Sequence, residues 1–325
     1  MKHCFIINPA SGKVTTKDGL EGRIRESCDS NGAECFVYMT EERGDAQKYI
    51  ASFCAEHEGD SIRFYACGGD GTLCEVVNGV MAIDNRENIS VGVIPVGTGN
   101  DFVRNFSPKE LFLDIDAQLS GTPVKIDLIR CNDFYAMNMI NIGFECQVVV
   151  KTAKIKRKKW IPSKMAYICG LVATLVKKPG VNVSIGADGA EAEKKELLLT
   201  TFANGEFCGG GFHSNPHAEL CDGMINALLV NDIPRTKFLT LVGSYKSGTH
   251  LEGKYDDILG EVKKQCFTLT FDAPTEISVD GEIVTVDGGV DISCEKGALS
   301  FIVPKGTVGN TLEKSMAAGE RTVTV

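Results

Sequence analysis

The run CGGDGTLCEVVNGV, from Cys67 to Val80, directly follows the apolar stretch Ile62, Phe64, Ala66. A strand-like segment enters a Gly-Gly-Asp-Gly-Thr turn and a helix-like segment leaves it. Gly68, Gly69 and Gly71 remove side chains where a backbone must bend sharply and approach a ligand closely. A helix opening at about Thr72 offers unpaired N–H groups and the positive end of its dipole, which suits phosphate. Asp70 is an acid where phosphate repels one, unless it holds a metal or a sugar hydroxyl. Structural strand-to-helix turns also use Gly, so this turn alone leaves both readings open.

Two further runs repeat the pattern. FIINPASGK places a short apolar strand, Phe5 to Ile7, before Asn8, Pro9, Ala10, Ser11, Gly12 and Lys13. VGVIPVGTGNDFVR places another, Val91 to Ile94, before Pro95, Gly97, Thr98, Gly99, Asn100, Asp101 and Arg104. In an open α/β sheet the loops at the carboxyl ends of parallel strands form the ligand crevice. Three such loops rich in Gly, Ser, Thr and Asn read together as one nucleotide site.

A chain of 325 residues is long enough for two cores. Its formal charge of −9 argues against nucleic acid and against strong global attraction to anionic lipid. The apolar run at the N-terminus is too short for a signal peptide, and no stretch approaches a membrane span. Thirteen cysteines scattered without CxxC pairs fit reduced thiols in a cytosol.

The first part alternates strand and helix signals: a charged stretch from about Lys17 to Asn31, a strand at Glu34 to Met39, then Ala46, Tyr49, Ile50 and Phe53 at helical spacing. Alternation of this kind predicts a parallel sheet. From about Lys125 short β-like runs separated by turn residues predict an antiparallel, sandwich-like domain. Helix-like inserts at Lys151 to Val176 and about Thr236 to Ser247 interrupt it. The expected fold is an α/β domain over 1–124, joined by a return segment at about 304–325, and an all-β domain over 125–303.

NPASG, GGDGT and PVGTGNDFVR, in this order and spacing, resemble the diacylglycerol kinase and sphingosine kinase family of lipid kinases. IDLIR, NIGFE, CGGGFHSNPHAELCDGMINALLV and VDGE extend the resemblance over nearly the whole chain. GGDGT alone is shared with NAD kinases and phosphofructokinases. The resemblance implies an ATP site built from Asn8, Pro9, Ala10, Ser11, Gly12, Thr40, Gly68, Gly69, Asp70, Gly71, Thr72, Leu73, Cys74, Gly97, Thr98, Asn100 and Asp101. Thr40 also reads as a helix N-cap, and Asn100 and Asp101 as turn-formers. The usual family pattern has Asn where this chain has Cys74, and a thiol cannot replace both hydrogen-bonding halves of an amide. Asp70 is the candidate for organising Mg2+.

In VDGE the resemblance puts the general base on Glu282 with Asp280 beside it. Alternation along an extended segment would set both carboxylates on one face, whereas Asp-Gly is also the commonest hairpin turn. In ELCDGMI it implies a structural Mg2+ held by the Asp222 side chain and the carbonyls of Glu219 and Met224. An ordinary Asp-Gly turn is the other reading.

KTAKIKRKKWIP clusters Lys154, Lys156, Arg157, Lys158 and Lys159 beside Trp160 and Ile161, which suits either an anionic membrane surface or a solvated helix face. The resulting expectation is a cytoplasmic, peripherally membrane-associated kinase using ATP and Mg2+. It would act on diacylglycerol or a related lipid in a cleft between its domains, without nucleic acid, and a homodimer is left open. The alternatives are an NAD kinase-like enzyme for a soluble substrate and a non-catalytic nucleotide-binding regulator.

Overall fold

The computed structural model describes residues 1–11, 14–156, 169–170, 173–175 and 180–307. Two compact units emerge, one comprising Met1–Asp127 with the chain from Lys296 on, the other Leu128–Glu295. The return to the first unit therefore begins inside the last strand, ahead of the PKGTVGN break.

In the first unit β1 (Lys2–Ile7), β2 (Glu34–Met39), β3 (Ile62–Gly68) and β4 (Ile89–Pro95) lie parallel in the order β2–β1–β3–β4. The last strand among the described residues, Gly289–Val303, joins β4 in parallel through Phe301 opposite Val91. Consecutive residues such as Phe5, Ile6, Phe64, Tyr65 and Ala66 are wholly buried. Both faces of the central strands are covered, which is why these segments read as continuous apolar runs. The connecting helices are α1 (Val14–Asn31), α2 (Asp45–Glu56) and α3 (Asp70–Met81). A short α4 (Ile115–Leu119) follows β4, with Asp114 as its N-cap accepting the Ala117 N–H. The first crossover runs outward from β1 to β2 and the next returns past β1 to β3. The switch in direction falls between β1 and β3, where ligand crevices of open sheets form.

The second unit is antiparallel, as the sequence predicts. Its elements are β5 (Thr122–Cys131, entering from the first unit), β6 (Phe134–Ala136), β7 (Met139–Gly143), α5 (Phe144–Lys156), β8 (Val181–Ala187), β9 (Glu193–Ala203), β10 (Phe207–Cys208) and β11 (Phe212–His213). They continue as β12 (Ile225–Asn231), α6 (Arg235–Ser247), β13 (Leu259–Lys264), β14 (Cys266–Phe271), β15 (Thr275–Val279), β16 (Glu282–Val286) and β17, the Gly289–Val303 strand. The sheet runs β16–β15–β7–β9–β8–β14–β17, and β12 pairs with both β9 and β13. Phe202, Phe267, Leu269, Ile277 and Ile292 fill one core. A second core gathers Phe144 and Val148 of α5 with Phe238, Leu241 and Tyr245 of α6.

Candidate active site

The loops after β1 and β3 meet at the switch point through a side-chain bond. Asn8 Nδ2 donates to Thr72 Oγ1 at 3.0 Å, while Asn8 Oδ1 accepts the Ala10 N–H at 2.9 Å. The Asn8 carbonyl takes the Ser11 N–H, closing the first loop on itself. Thr72 is buried, so its hydroxyl braces two loops rather than facing solvent. Pro9 and Ser11 flank this brace half-buried and Ala10 is exposed; Gly12 lies outside the described residues.

The glycines serve close packing. A Cβ on Gly68 would run into the Thr72 side chain, and a Cβ on Gly97 would overlap Gly69. The chain bends at Gly69, but with φ −98° and ψ −171°, a backbone open to any residue, so the bend itself does not demand glycine there. Gly97 N–H donates to Gly68 O at 3.1 Å, joining the second loop to the third. Asn100, at φ +50°, pins the third loop by donating Nδ2 to Pro95 O and Gly97 O at 2.8 and 3.0 Å. Thr98 is exposed at its tip. Phe102 and Phe106 then seat the loop on Phe301, with ring centroids 5.1 and 5.7 Å away.

Helix α3 begins at Asp70, two positions ahead of the expected Thr72, with Gly69 as N-cap. Its first backbone bond runs from Leu73 N–H to Gly69 O, so the amides of Gly71 and Thr72 stand ahead of the helical ladder. Asp70 Oδ1 accepts the Phe102 N–H at 3.2 Å. Burial and then the neighbouring Asp101 charge push the Asp70 carboxyl up to about 6. Asp101 is itself held by Arg104, whose Nε lies 3.1 Å from Oδ1 and whose Nη2 donates to Gly99 O at 3.1 Å. Two carboxylates brought together against their own repulsion are a setting that a divalent cation fits.

Leu73 and Cys74 are buried on the inner side of α3. Asn78, one turn on, donates to the Cys74 carbonyl at 2.9 Å and lies 3.5 Å from its sulfur. Thr40 is not an N-cap. Its N–H and hydroxyl both turn back to Ile7 O, at 2.9 and 3.4 Å, and the N-cap of α2 is Gly44 at φ +84°. The Gly44 N–H is taken instead by Glu75 of α3.

In the second unit Asp280 and Gly281, at φ +46° and +90°, are the two-residue turn joining β15 to β16. This corrects the expectation of two carboxylates alternating along one extended face, because a residue in the turn does not follow the pleat. The Asp280 carboxylate accepts backbone N–H groups of Met137, Asn138 and Met139 at 2.6, 3.1 and 2.9 Å. Those bonds break FYAMNMI into β6 and β7. Glu282 is the half-buried first residue of β16, opposite Val279. Asn138 extends the link by donating its side chain to Phe207 O.

The Asp222 turn departs from the expected cation site. Asp222 Oδ1 accepts the Met224 N–H at 2.9 Å, and Lys263 Nζ stands 2.5 Å from Oδ2 and 3.9 Å from a Glu219 carboxylate oxygen. The ammonium stands against the carboxylate oxygen that a divalent ion would share, so Asp222 as arranged already carries a cation. Of the basic run, Lys154 is exposed on α5, while residues 157–168 lie outside the described residues. Arg104 stands in the third polar loop at helical spacing from Asp101, so its pairing has a sequence signal; Lys263 has none. Among the described residues no helix is long and apolar enough to cross a membrane.

The architecture is an α/β unit with three polar loops at its switch point, followed along the chain by an antiparallel β unit. It is shared with the crystal structure of a diacylglycerol kinase from Bacillus anthracis strain Sterne, at TM-score 0.69 and 20% identity over 94% of this chain and 98% of that one. The diacylglycerol kinase catalytic domain family matches residues 2–131, and the YegS C-terminal NAD kinase β-sandwich-like domain family matches residues 138–303. A diacylglycerol kinase of Staphylococcus carnosus is 31% identical over 86% of this chain and 87% of its own length. One of Staphylococcus aureus strain JH9 is 30% identical over 86% and 85%. The chain belongs to the diacylglycerol kinase-like family of lipid kinases.

Proposed function

We propose that this protein is an ATP-dependent lipid kinase that phosphorylates the free hydroxyl of diacylglycerol or a close relative, giving ADP and a phosphatidate-type lipid. The observation that carries the reading is the Asn8–Thr72 bond across the switch point, which ties the first loop to the turn that carries Asp70. Phosphoryl transfer needs a cradle for the triphosphate, a divalent cation and a positioned acceptor. The α3 N-terminal amides and the Gly97–Asn100 loop supply the cradle. Asp70 and Asp101 would hold Mg2+, which neutralises phosphate charge when bound. The lipid oxygen bonds to the γ-phosphorus, the bond to ADP breaks, and the hydroxyl proton passes to Glu282 as general base. Asp280 acts by fixing the turn that carries Glu282. The Lys154–Ile161 run contributes local contact with an anionic membrane surface.

The test is incubation with labelled ATP, Mg2+ and a panel of lipids in mixed micelles, with NAD as a further acceptor. Label in diacylglycerol or a related lipid supports the reading. Label in NAD alone, or ATP binding with no transfer to any acceptor, overturns it.

A further inference from the structure

We infer that Lys263 is the resident cation of the Asp222 turn, so that this part of the second unit holds together without a divalent ion. Strands β12 and β13 pair antiparallel with Asn226 opposite Lys263, which brings the Lys263 side chain to the turn just ahead of β12. The Asp222 side chain is 19% exposed and that of Lys263 38%, so the carboxylate is largely shielded and the lysine reaches it from an exposed position. Its geometry is ionic rather than directional. Oδ2 is buried and meets the ammonium at 2.5 Å without an aligned hydrogen bond, while Oδ1 closes the turn on Met224 N–H.

Lys263 does not act alone. Glu261, two residues back and so on the same face of the strand, accepts Asn226 Nδ2 at 3.0 Å and pairs with His217 Nδ1 at 2.8 Å. One face of β13 thus fastens the segment from His217 to Asn226 by an acid at one point and a base at the next. The segment needs positive charge, because Glu219 and Asp222 both face it, and Lys263 lies within 4 Å of each.

Lysine and a divalent ion exclude each other there. Mg2+ requires near-octahedral oxygen ligands at about 2.0–2.1 Å. An ammonium against the same carboxylate oxygen fills one of those directions and repels the ion. Where an ion would impose its own ligand geometry and come and go with its concentration, a lysine is covalently present and needs only the strand register to arrive.

Thermal unfolding without nucleotide tests this on the full chain, in EDTA and then in Mg2+ or Ca2+, for wild type, Lys263→Met, Asp222→Asn and the double variant. Only a cation response that Asp222→Asn removes reports on this turn, so ions bound elsewhere do not bear on the result. The expected wild type has no such response. Lys263→Met in EDTA melts about 2–4 °C lower, the shift that one modest interaction gives in a unit of this size. It regains part of that loss with a divalent ion, and the double variant regains none. A wild-type rise with Mg2+ or Ca2+ that vanishes in Asp222→Asn overturns the inference. So does a Lys263→Met protein that melts like wild type in EDTA.

Discussion

Gly97 lies against Gly69 so closely that a Cβ on Gly97 would overlap the Gly69 Cα and crowd Asn100 Oδ1. The relation is not symmetric. A Cβ on Gly69 would sit 3.4 Å from Gly97 Cα, an ordinary contact. The two loops demand glycine because of each other, and mostly at one of the two positions.

Gly97→Ala should therefore lower stability by about 1–3 kcal/mol, the usual cost of overpacking, and weaken ATP binding as the second and third loops part. Gly69→Ala should stay near wild type in both respects. Denaturant midpoints and calorimetric titration with ATP compare the two. If Gly69→Ala loses ATP affinity in a fully stable protein, close approach of phosphate governs that position instead.

The acid pair of the β15–β16 hairpin separates in the same way. Glu282→Gln keeps shape and cannot take a proton, so kcat should fall about 10²–10⁴-fold with ATP affinity and unfolding midpoint kept. Asp280→Asn puts an amide donor among three backbone donors and should lose stability first. A stable Asp280→Asn protein with kcat reduced more than that of Glu282→Gln would make Asp280 the base.

What the sequence discloses follows from where burial acts. Phe5 to Ile7, Ile62 to Ala66 and Val91 to Ile94 are covered on both faces, so they stand out as apolar runs ending in polar loops. The shift to short β runs after Lys125 is legible because each strand of the second unit carries its own turn. Partners remote along the chain leave no local mark. Asp280 meets residues 137–139, and Lys263 meets Asp222, only because strands pair in a particular register. The start of α3 at Asp70 rather than Thr72 depends on the extended backbone of Gly69, which composition does not encode.

Asp70 should prove a residue that function requires and stability resists. Burial and Asp101 raise its carboxyl from its ordinary value to about 6, so at neutral pH the folded protein holds a charge it disfavours. Asp70→Asn keeps an oxygen for the Phe102 N–H and removes that charge. Turnover should be abolished while the denaturant midpoint at pH 7.5 stays equal or rises. Near-normal activity at saturating Mg2+ would sink the assignment, and a large loss of stability would mean that the carboxylate is a structural acceptor.

Glu145 should make the stability of the second unit fall with rising pH. It stands in the first turn of α5, where Oε1 accepts the Tyr245 hydroxyl of α6 at 2.7 Å and Oε2 is buried without a hydrogen-bond partner. It edges an otherwise apolar cavity of about 30 Å³, room for one water. Burial pushes this carboxyl from 4.5 up to about 7, against the weaker opposing pull of the Tyr245 and Cys208 hydrogen bonds. Between those two values the folded protein holds a proton that the unfolded chain has released. Stability is then full below the unfolded value and declines as pH rises through the window, by at most ~1.4 kcal/mol per pH unit from one group. Glu145→Gln keeps an acceptor for Tyr245 and cannot ionise, so its midpoint should fall less with rising pH than that of wild type. Urea unfolding of both proteins from pH 4.5 to 7.5 measures the difference. Parallel curves would mean that Glu145 is charged in the folded state across this range and that the α5–α6 contact is an ionic hydrogen bond.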